Sequence, residues 1–406
     1  MMVRPSGAFS ALANRNFRLF FTGQLVSLVG TWMQQVSLSW LVLQVTDSAW
    51  YVGMVNALDS IPVLLLALYA GVVADRVSRH RMVMVTNASA MLLALTLATL
   101  VFTHTAKVWA IMVIATLFGL VNAFDIPARH TLYGDLVGKE GLMSAVALNS
   151  SSFNATRIIG PVVAGFILSI GGAGWCFLIN GLSYIGVLVG LFMMDVPAPP
   201  PDRPRMSALG NMLEGLRYVW TERRTRGIVL LITTLSIFGS QFLVLLPVIA
   251  RDDLGKGAQA YGWMLSAVGF GALAGALWVA SASRKIPRGR LLLRTSLASG
   301  ILVALLAVPH SIGPVLVILT AMGFVMISNG ASANTLLQTL SPERLRGRVV
   351  SVYTLVAVGM APLGALEGGA VAERFGARVA LMLGGSVCVL GSLLVRWKTP
   401  ELKTTN

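Results

Sequence analysis

Charged residues are the first scarcity in this sequence. Asp, Glu, Lys and Arg make up 12% of its 406 residues, about half the share of a soluble globular domain, which excludes water as the medium around most of the chain. Acids are scarcer than bases, 16 against 31. Only two cysteines occur, Cys176 and Cys388, each inside an apolar run and in different halves, which excludes a disulfide framework or a cysteine-built zinc cluster. The four histidines, His80, His104, His130 and His310, are scattered. No His/Glu zinc pattern, nucleophile elbow or dinucleotide fingerprint accompanies them, so the reactive cluster that an integral-membrane enzyme needs is missing. No G-x-x-x-x-G-K-[ST] stretch is present, so this chain does not itself hydrolyse ATP. No cofactor and no metal site are expected.

What is there is hydrophobic: 56% of the residues, with a mean hydropathy of +0.77. About twelve apolar stretches are long enough to cross the hydrocarbon core, which takes about 20 residues of helix. They run near 17–44, 50–74, 82–103, 107–132, 144–170, 173–194, 227–250, 259–282, 291–309, 313–340, 348–371 and 376–396. Being continuous rather than alternating, they predict an all-α integral membrane protein and not a β-barrel. The first run is too long for a signal-peptide core and lacks a small-residue cleavage site, so it reads as the first span. A formal net charge of +15 would point to nucleic acid in a soluble protein, but its distribution points elsewhere. About 25 of the 31 Lys and Arg fall at the N-terminus, in alternate loops and in the C-terminal tail, all on one side. The positive-inside rule then places both termini in the cytoplasm, in a multi-pass protein of the bacterial cytoplasmic (inner) membrane. Membrane lipid, not nucleic acid, is the expected partner of the excess charge.

The longest polar stretch, "DVPAPPPDRPRMSALGNMLEGLRYVWTERRTR" at 195–226, divides the spans six and six. Its proline-rich start predicts a stiff linker. After it, helical spacing brings Met212, Leu216, Val219 and Trp220 to one face, as in a helix lying on the cytoplasmic surface. The expected organisation is a six-helix bundle over 1–194, the linker over 195–226, and a second, pseudo-symmetric six-helix bundle with a short tail over 227–406. The halves repeat weakly at an offset of about 200 residues, as transporter halves do. The fourth span leads through "NAFDIPARHTLYGDLVGKEGL" into "IIGPVVAG", and the tenth through "NGASANTLLQTLSPERLRGR" into "GMAPLGALEGG". Each has an Asn late in the even span, a short polar loop, and a Gly-Pro or Ala-Pro pair well into the next span.

Between the second and third spans the sequence reads "GVVADRVSRHR". With twelve spans and a central loop around it, this resembles the major facilitator superfamily, whose signature in this loop is G-x-x-x-D-R-x-G-R-R/K. The matching residues are Gly71, Asp75, Arg76, Arg79 and Arg81; Ser78 replaces the second glycine and His80 stands inside the basic run. A small residue at Gly71 permits close helix approach, and Asp75 can meet the partial positive charge of a facing helix N-terminus. The resemblance implies that this latch closes the cytoplasmic side against the eleventh span, with Arg76 braced on Asp125. Asp125 has a second candidate partner in Arg129, one helical turn on. Orientation alone would account for Arg79 and Arg81.

In the fifth span, "RIIGPVVAG" is similar to the G-P-x-x-G element of exporters, through Gly160, Pro161 and Gly165. The proline kinks the helix, and the glycines allow close packing or sliding. Together with "GTWMQQVSLSWLVLQVTDSA" and "FDIPAR", the chain resembles the bacterial efflux branch that includes enterobactin exporters and macrolide-efflux proteins. It departs from many proton-driven exporters at "IATLFGLVN" in the fourth span, which lacks their arginine.

Ionisable groups within spans cost several kcal/mol unless paired or hydrated. Asp59 and Arg157 both lie about 20 Å from the cytoplasmic ends of their spans. At one level they can pair, either as a permanent salt bridge or as a switch in which Asp59 alternates between Arg157 and a proton. Glu367, among small apolar neighbours in "APLGALEGGA", is a second proton-carrier candidate or else a hydrated group at the outer mouth. The first helix of each three-helix repeat is expected to line a central cavity. Those helices bring Gln24, Ser27, Trp32, Gln34 and Gln35 from the first span and Asn122 from the fourth. The seventh adds Ser236, Phe238 and Gln241, and the tenth adds Asn329, Asn334 and Gln338. Such groups must face protein or water, and they are also the usual interhelical hydrogen-bonding residues.

Amides, hydroxyls and aromatics with few charges fit an amphipathic organic molecule. A sugar phosphate or nucleotide would call for more cations than Arg157. The sequence therefore predicts a secondary transporter, not an enzyme, that exports a drug, siderophore or metabolite by alternating access, as a proton-coupled antiporter and a monomer. Movement of a lysophospholipid or metabolite, including uptake, stays open as the alternative.

Overall fold

The computed structural model describes residues 9–194, 208–281 and 286–405, apart from the side chains of residues 67, 68, 72, 75, 139, 208, 209 and 211. Among the described residues there is no strand. In chain order the helices are α1 (Arg15–Thr46), α2 (Ala49–Arg76), α3 (Arg79–Phe102), α4 (Val108–Gly138), α5 (Glu140–Gly171) and α6 (Ala173–Phe192). They continue as α7 (Ala208–Thr221), α8 (Arg223–Asp253), α9 (Ala258–Ser281), α10 (Arg288–Leu305), α11 (Ile312–Leu340), α12 (Arg346–Phe375) and α13 (Ala377–Lys398). Among the described residues, eleven helices are long and apolar enough to cross a membrane. The expected ninth span falls on α10, which has 18 residues but carries Arg288, Arg290 and Arg294 in its first two turns, where long basic side chains can snorkel to the interface. Leu65, Val85, Phe192, Leu277 and Val317 stand exposed on helices whose other faces are buried, as in a wall turned to lipid.

The breaks in these helices have local causes. Gly138, at φ 66°, takes a left-handed conformation that a side chain resists, and so separates α4 from α5. Pro62, Pro127, Pro161 and Pro247 lie inside helices, each removing a backbone donor. α8 accommodates two π-turns, Leu235–Gly239 and Ile249–Asp253. α12 is interrupted at Met360, just before Pro362.

Two compact units divide the chain: Met1–Val45 with Ile61–Pro204, and Thr46–Ser60 with Arg205–Asn406. The expected bundles follow sequence order, whereas packing groups the first half of α2 with the second unit. The proline-rich start of the linker, 195–207, lies outside the described residues. In the first unit Phe17, Phe20, Val83, Leu132 and Leu191 form a core, with Tyr133 edge-on to Phe17 and Phe20 at 6.0 and 5.7 Å between ring centroids. In the second, Ile228, Leu292, Leu336, Val349 and Leu402 form another.

The internal repeat is resolved at the level of side chains. Asp125 on α4 accepts from Thr86 Oγ1 at 2.7 Å and from Asn87 Nδ2 at 3.2 Å on α3. In the second unit Asn329 on α11 donates to Thr295 Oγ1 at 3.2 Å and to Ser296 Oγ at 2.7 Å on α10. Thr86 and Thr295 occupy the same place relative to the starts of their helices at Arg79 and Arg288, as do Asp125 and Asn329 relative to Val108 and Ile312. The counterpart of Asn329 is thus Asp125, not the late asparagine Asn122, and it is a staple between neighbouring helices.

Candidate functional site

The loop between α2 and α3 owes its shape to Ser78. Its Oγ accepts from Arg81 N at 3.4 Å and caps α3 from an extended backbone (φ −61°, ψ 114°), so the turn does not need the glycine of the related pattern. A Cβ at Gly71 would meet nothing within 4 Å, so no close packing at that point calls for a glycine. The side chain of Asp75 lies outside the described residues, and Arg76 is exposed. Arg79 is buried and its Nη1 donates to both oxygens of Asp135 on α4, at 2.7 and 2.6 Å. It ties the start of α3 to the end of α4 instead of serving orientation alone. Asp125 pairs with Arg129 Nη2 at 2.5 Å, and its other oxygen is taken by α3, so of its two candidate partners the structure selects Arg129. Arg81 stands at a cleft of about 750 Å³ walled by Val73, Val77, Met82, Val121 and Phe124.

Among the membrane charges, Asp59 belongs to the second unit and Arg157 to the first. Asp59 is half-buried. Arg157 donates through Nη2 to Asn154 Oδ1 at 3.2 Å, one turn back, and its Nε is buried without a partner. Glu367 likewise has a buried, unpartnered Oε2, as has Gln241 at Oε1. These two residues come from facing elements: a Cβ on Gly368, next to Glu367, would lie 2.7 Å from Gln241 Oε1. Buried polar atoms without partners are rare, and each calls for an explanation.

The polar residues expected to line a cavity fall into two groups. Gln24, Ser27, Gln34, Ser236, Gln241 and Asn329 are buried, most of them as interhelical staples. Gln34 accepts from Asn180 Nδ2 on α6 at 2.6 Å, Ser236 donates to Ala357 O at 3.2 Å, and Gln241 donates to Ala380 O at 3.0 Å. Trp32, Asn122, Phe238, Asn334 and Gln338 are half-buried and Gln35 is exposed. Gln338 donates to Asn334 Oδ1 at 3.0 Å along α11, and Phe238 sits in a π-turn, a feature frequent at functional sites. Trp32 packs on Phe153 of α5 at 5.5 Å. A Cβ on Gly160 would fall 2.4 Å from Trp32 Cβ, so this glycine is needed for the approach of α1. Pro161 and Gly165 are buried beside it. Sequence reasoning missed Asp135, Asn154 and Asn180. Asp135 carried a readable signal, since an acid in a basic stretch does nothing for orientation.

The comparisons agree on one lineage. The family described as transmembrane secretion effector matches residues 6–406. The staphyloferrin A transporter of Staphylococcus aureus (strain NCTC 8325 / PS 47) is 29% identical over 365 residues, covering 88% of this chain and 90% of that one. The multidrug efflux pump Tap of Mycolicibacterium fortuitum is 29% identical over 368 residues, 88% and 89% of the two chains. The enterobactin exporter EntS of Escherichia coli O1:K1 / APEC is 26% identical over 382 residues, 93% and 91%. Among solved structures, the nucleoside transporter NupG superposes with a TM-score of 0.76 at 11% identity, over 94% of this chain and 98% of that one. An inward-facing, unoccupied bacterial homologue of the human lysosomal transporter Spinster does so at 0.71 and 12%, over 96% and 98%. At such identities these two carry the fold, and the family carries the class of activity. The chain belongs to the transmembrane secretion effector family of the major facilitator superfamily and is a membrane transporter, not an enzyme.

Proposed function

We propose that this protein exports a small amphipathic organic molecule, of the drug or siderophore kind, across the bacterial inner membrane. Two six-helix bundles, 1–194 and 227–406, joined by the 195–226 linker, alternate access to the substrate while a proton moves the other way. The observation that carries this reading is the set of relatives named for siderophore or drug transport, aligned over 88% to 93% of the chain. Gln35, Asn122, Asn334 and Gln338, with Trp32 and Phe238, are the candidate polar and aromatic groups that are not fully buried, of a kind suited to a neutral or weakly charged amphipath. Asp59, Arg157 and Glu367 are the proton-coupling candidates, supported by the unpartnered polar atoms of the last two. The loop through Gly71, Asp75, Arg76, Arg79 and Arg81, backed by Asp125 and Arg129, serves as the cytoplasmic gate, and Gly160, Pro161 and Gly165 serve the export movement of α5. The charge bias supports a cytoplasmic position for both termini, and in this reading the protein works in lipid as a monomer.

The test is efflux of a panel of fluorescent drugs and siderophores from loaded vesicles, with and without a pH gradient. Wild-type efflux is expected to need the gradient, and Asp59→Asn is expected to abolish that dependence while leaving thermal unfolding in place. Efflux that ignores the gradient, or an Asp59→Asn protein that behaves as wild type, counts against proton antiport.

A further inference from the structure

The first turn of α2 contains no acid of its own; one arrives from α12. Glu373 Oε2 accepts from Ser48 Oγ at 2.9 Å and from the backbone N of Trp50 at 3.2 Å, and Ser48 Oγ in turn accepts from Tyr51 N at 3.4 Å. A helix start presents unpaired N–H groups and the positive end of its dipole. Here both are met by a carboxylate 325 residues away in the chain. Beside this cap the two helices run backbone to backbone: a Cβ on Gly53 would fall 2.3 Å from Ala365 O, and one on Gly369 2.9 Å from Ala49 O. In the turn before α2, Asp47, at φ 51°, pairs with Arg251 of α8 at 2.5 Å.

All of these contacts lie within the second unit. α2 itself runs on past residue 60 into the first unit, and Pro62 stands at the division. A proline there removes one main-chain hydrogen bond and weakens the helix against bending. α2 is therefore fastened at its first turn within the second unit and carries a proline where it passes out of that unit. Glu373 is exposed, so water can take over its donors when the contact parts.

We propose that Glu373 is a gating residue for transport: its carboxylate holds the first turn of α2 on α12 in one phase of the cycle, and this cap must break in the other. It performs at one end of α2 what the related loop pattern implies for Asp75 at the opposite end. The inference rests on the alternating-access reading and gives that reading a second, outer latch.

Two measurements on the full-length protein test it. In Ser48→Cys/Glu373→Cys protein, joined by a short bis-methanethiosulfonate, substrate efflux is expected to stop and to return on reduction; the natural cysteines, both buried, do not compete. In nanodiscs without substrate, Glu373→Ala is expected to raise amide exchange across 46–60 about tenfold, the worth of a hydrogen bond to a charged group, and to leave α3 and α6 unchanged. If Glu373→Ala exchanges fast throughout, Glu373→Gln, which keeps the acceptor and loses the charge, reads the same contact with a smaller rise. Cross-linked protein that exports at the uncross-linked rate, or exchange across 46–60 that stays within about twofold of wild type in both variants, overturns the proposal. If wild type moves no compound, the export reading fails by itself, and the exchange measurement still decides the cap.

Discussion

Arg79 shows what a count of charges along a chain leaves out. Its position in a basic loop is accounted for by membrane orientation, yet its guanidinium is buried and grips Asp135 with two hydrogen bonds. Removing one member of a fully buried pair costs about 3–5 kcal/mol. The Asp135 side chain is 32% exposed, so water tempers the loss to about 1–3 kcal/mol. Asp135→Ala is accordingly expected to lower the unfolding temperature of the purified protein, because a buried cation loses its acid. Arg79→Ala should lower it less, since Asp135 can turn to water. The double variant should lose less than the two singles together, and thermal melts of the three proteins check this; losses that simply add would show two independent charges. The Asp125–Arg129 pair was legible in the sequence because its members are four residues apart on one helix. Arg79 and Asp135 are 56 residues apart, and only packing joins them.

At the scale of an element, α7 separates period from orientation. Helical spacing predicts the helix and sets Met212, Leu216, Val219 and Trp220 on one side, and a helix forms at Ala208–Thr221. In the structure Gly215 and Val219 are buried while Leu213, Leu216 and Trp220 are exposed. The sequence offers two apolar stripes, and only contact decides which one packs. Gly215 decides it, because a Cβ there would fall 2.7 Å from Arg348 O of α12. Around this point Glu214 pairs with Arg344 at 2.7 Å and with Arg348, and Tyr218 donates its hydroxyl to Leu340 O at 3.1 Å. Burial, and then the charge of Glu222, push the Tyr218 phenol above its ordinary value, so it remains a donor. Gly215→Leu forces the two backbones apart at a cost of about 1–3 kcal/mol. The expected result is faster proteolytic cleavage within 195–226, with the membrane helices still protected. Cleavage at the wild-type rate would show that α7 is not held by this contact.

Across the whole molecule, the spans were legible because lipid demands long, continuous apolar helices, and the repeat was legible because its punctuation recurs. The division through α2 was not, since it depends on Gly53 and Gly369 meeting across helices far apart in sequence. Nor was the unequal charge of the repeats: the polar staple of the first unit holds Asp125 and Arg129, whereas the second places Asn329 and a buried Ala333 at the matching positions. Asn329→Asp would put a carboxylate there with alanine, not arginine, one helical turn on. Orientation is the remaining property of the whole chain, and the basic excess predicts it. Single cysteines at Lys256, exposed in the turn before α9, and at Thr404, exposed in the C-terminal turn, report opposite faces, while Cys176 and Cys388 are buried. With intact spheroplasts and an impermeant maleimide, position 256 is expected to label at once and position 404 only after permeabilisation. The reverse pattern would put the basic loops outside, where neither anionic inner-leaflet lipid nor the positive-inside bias could hold them, and would turn the direction of export around with them.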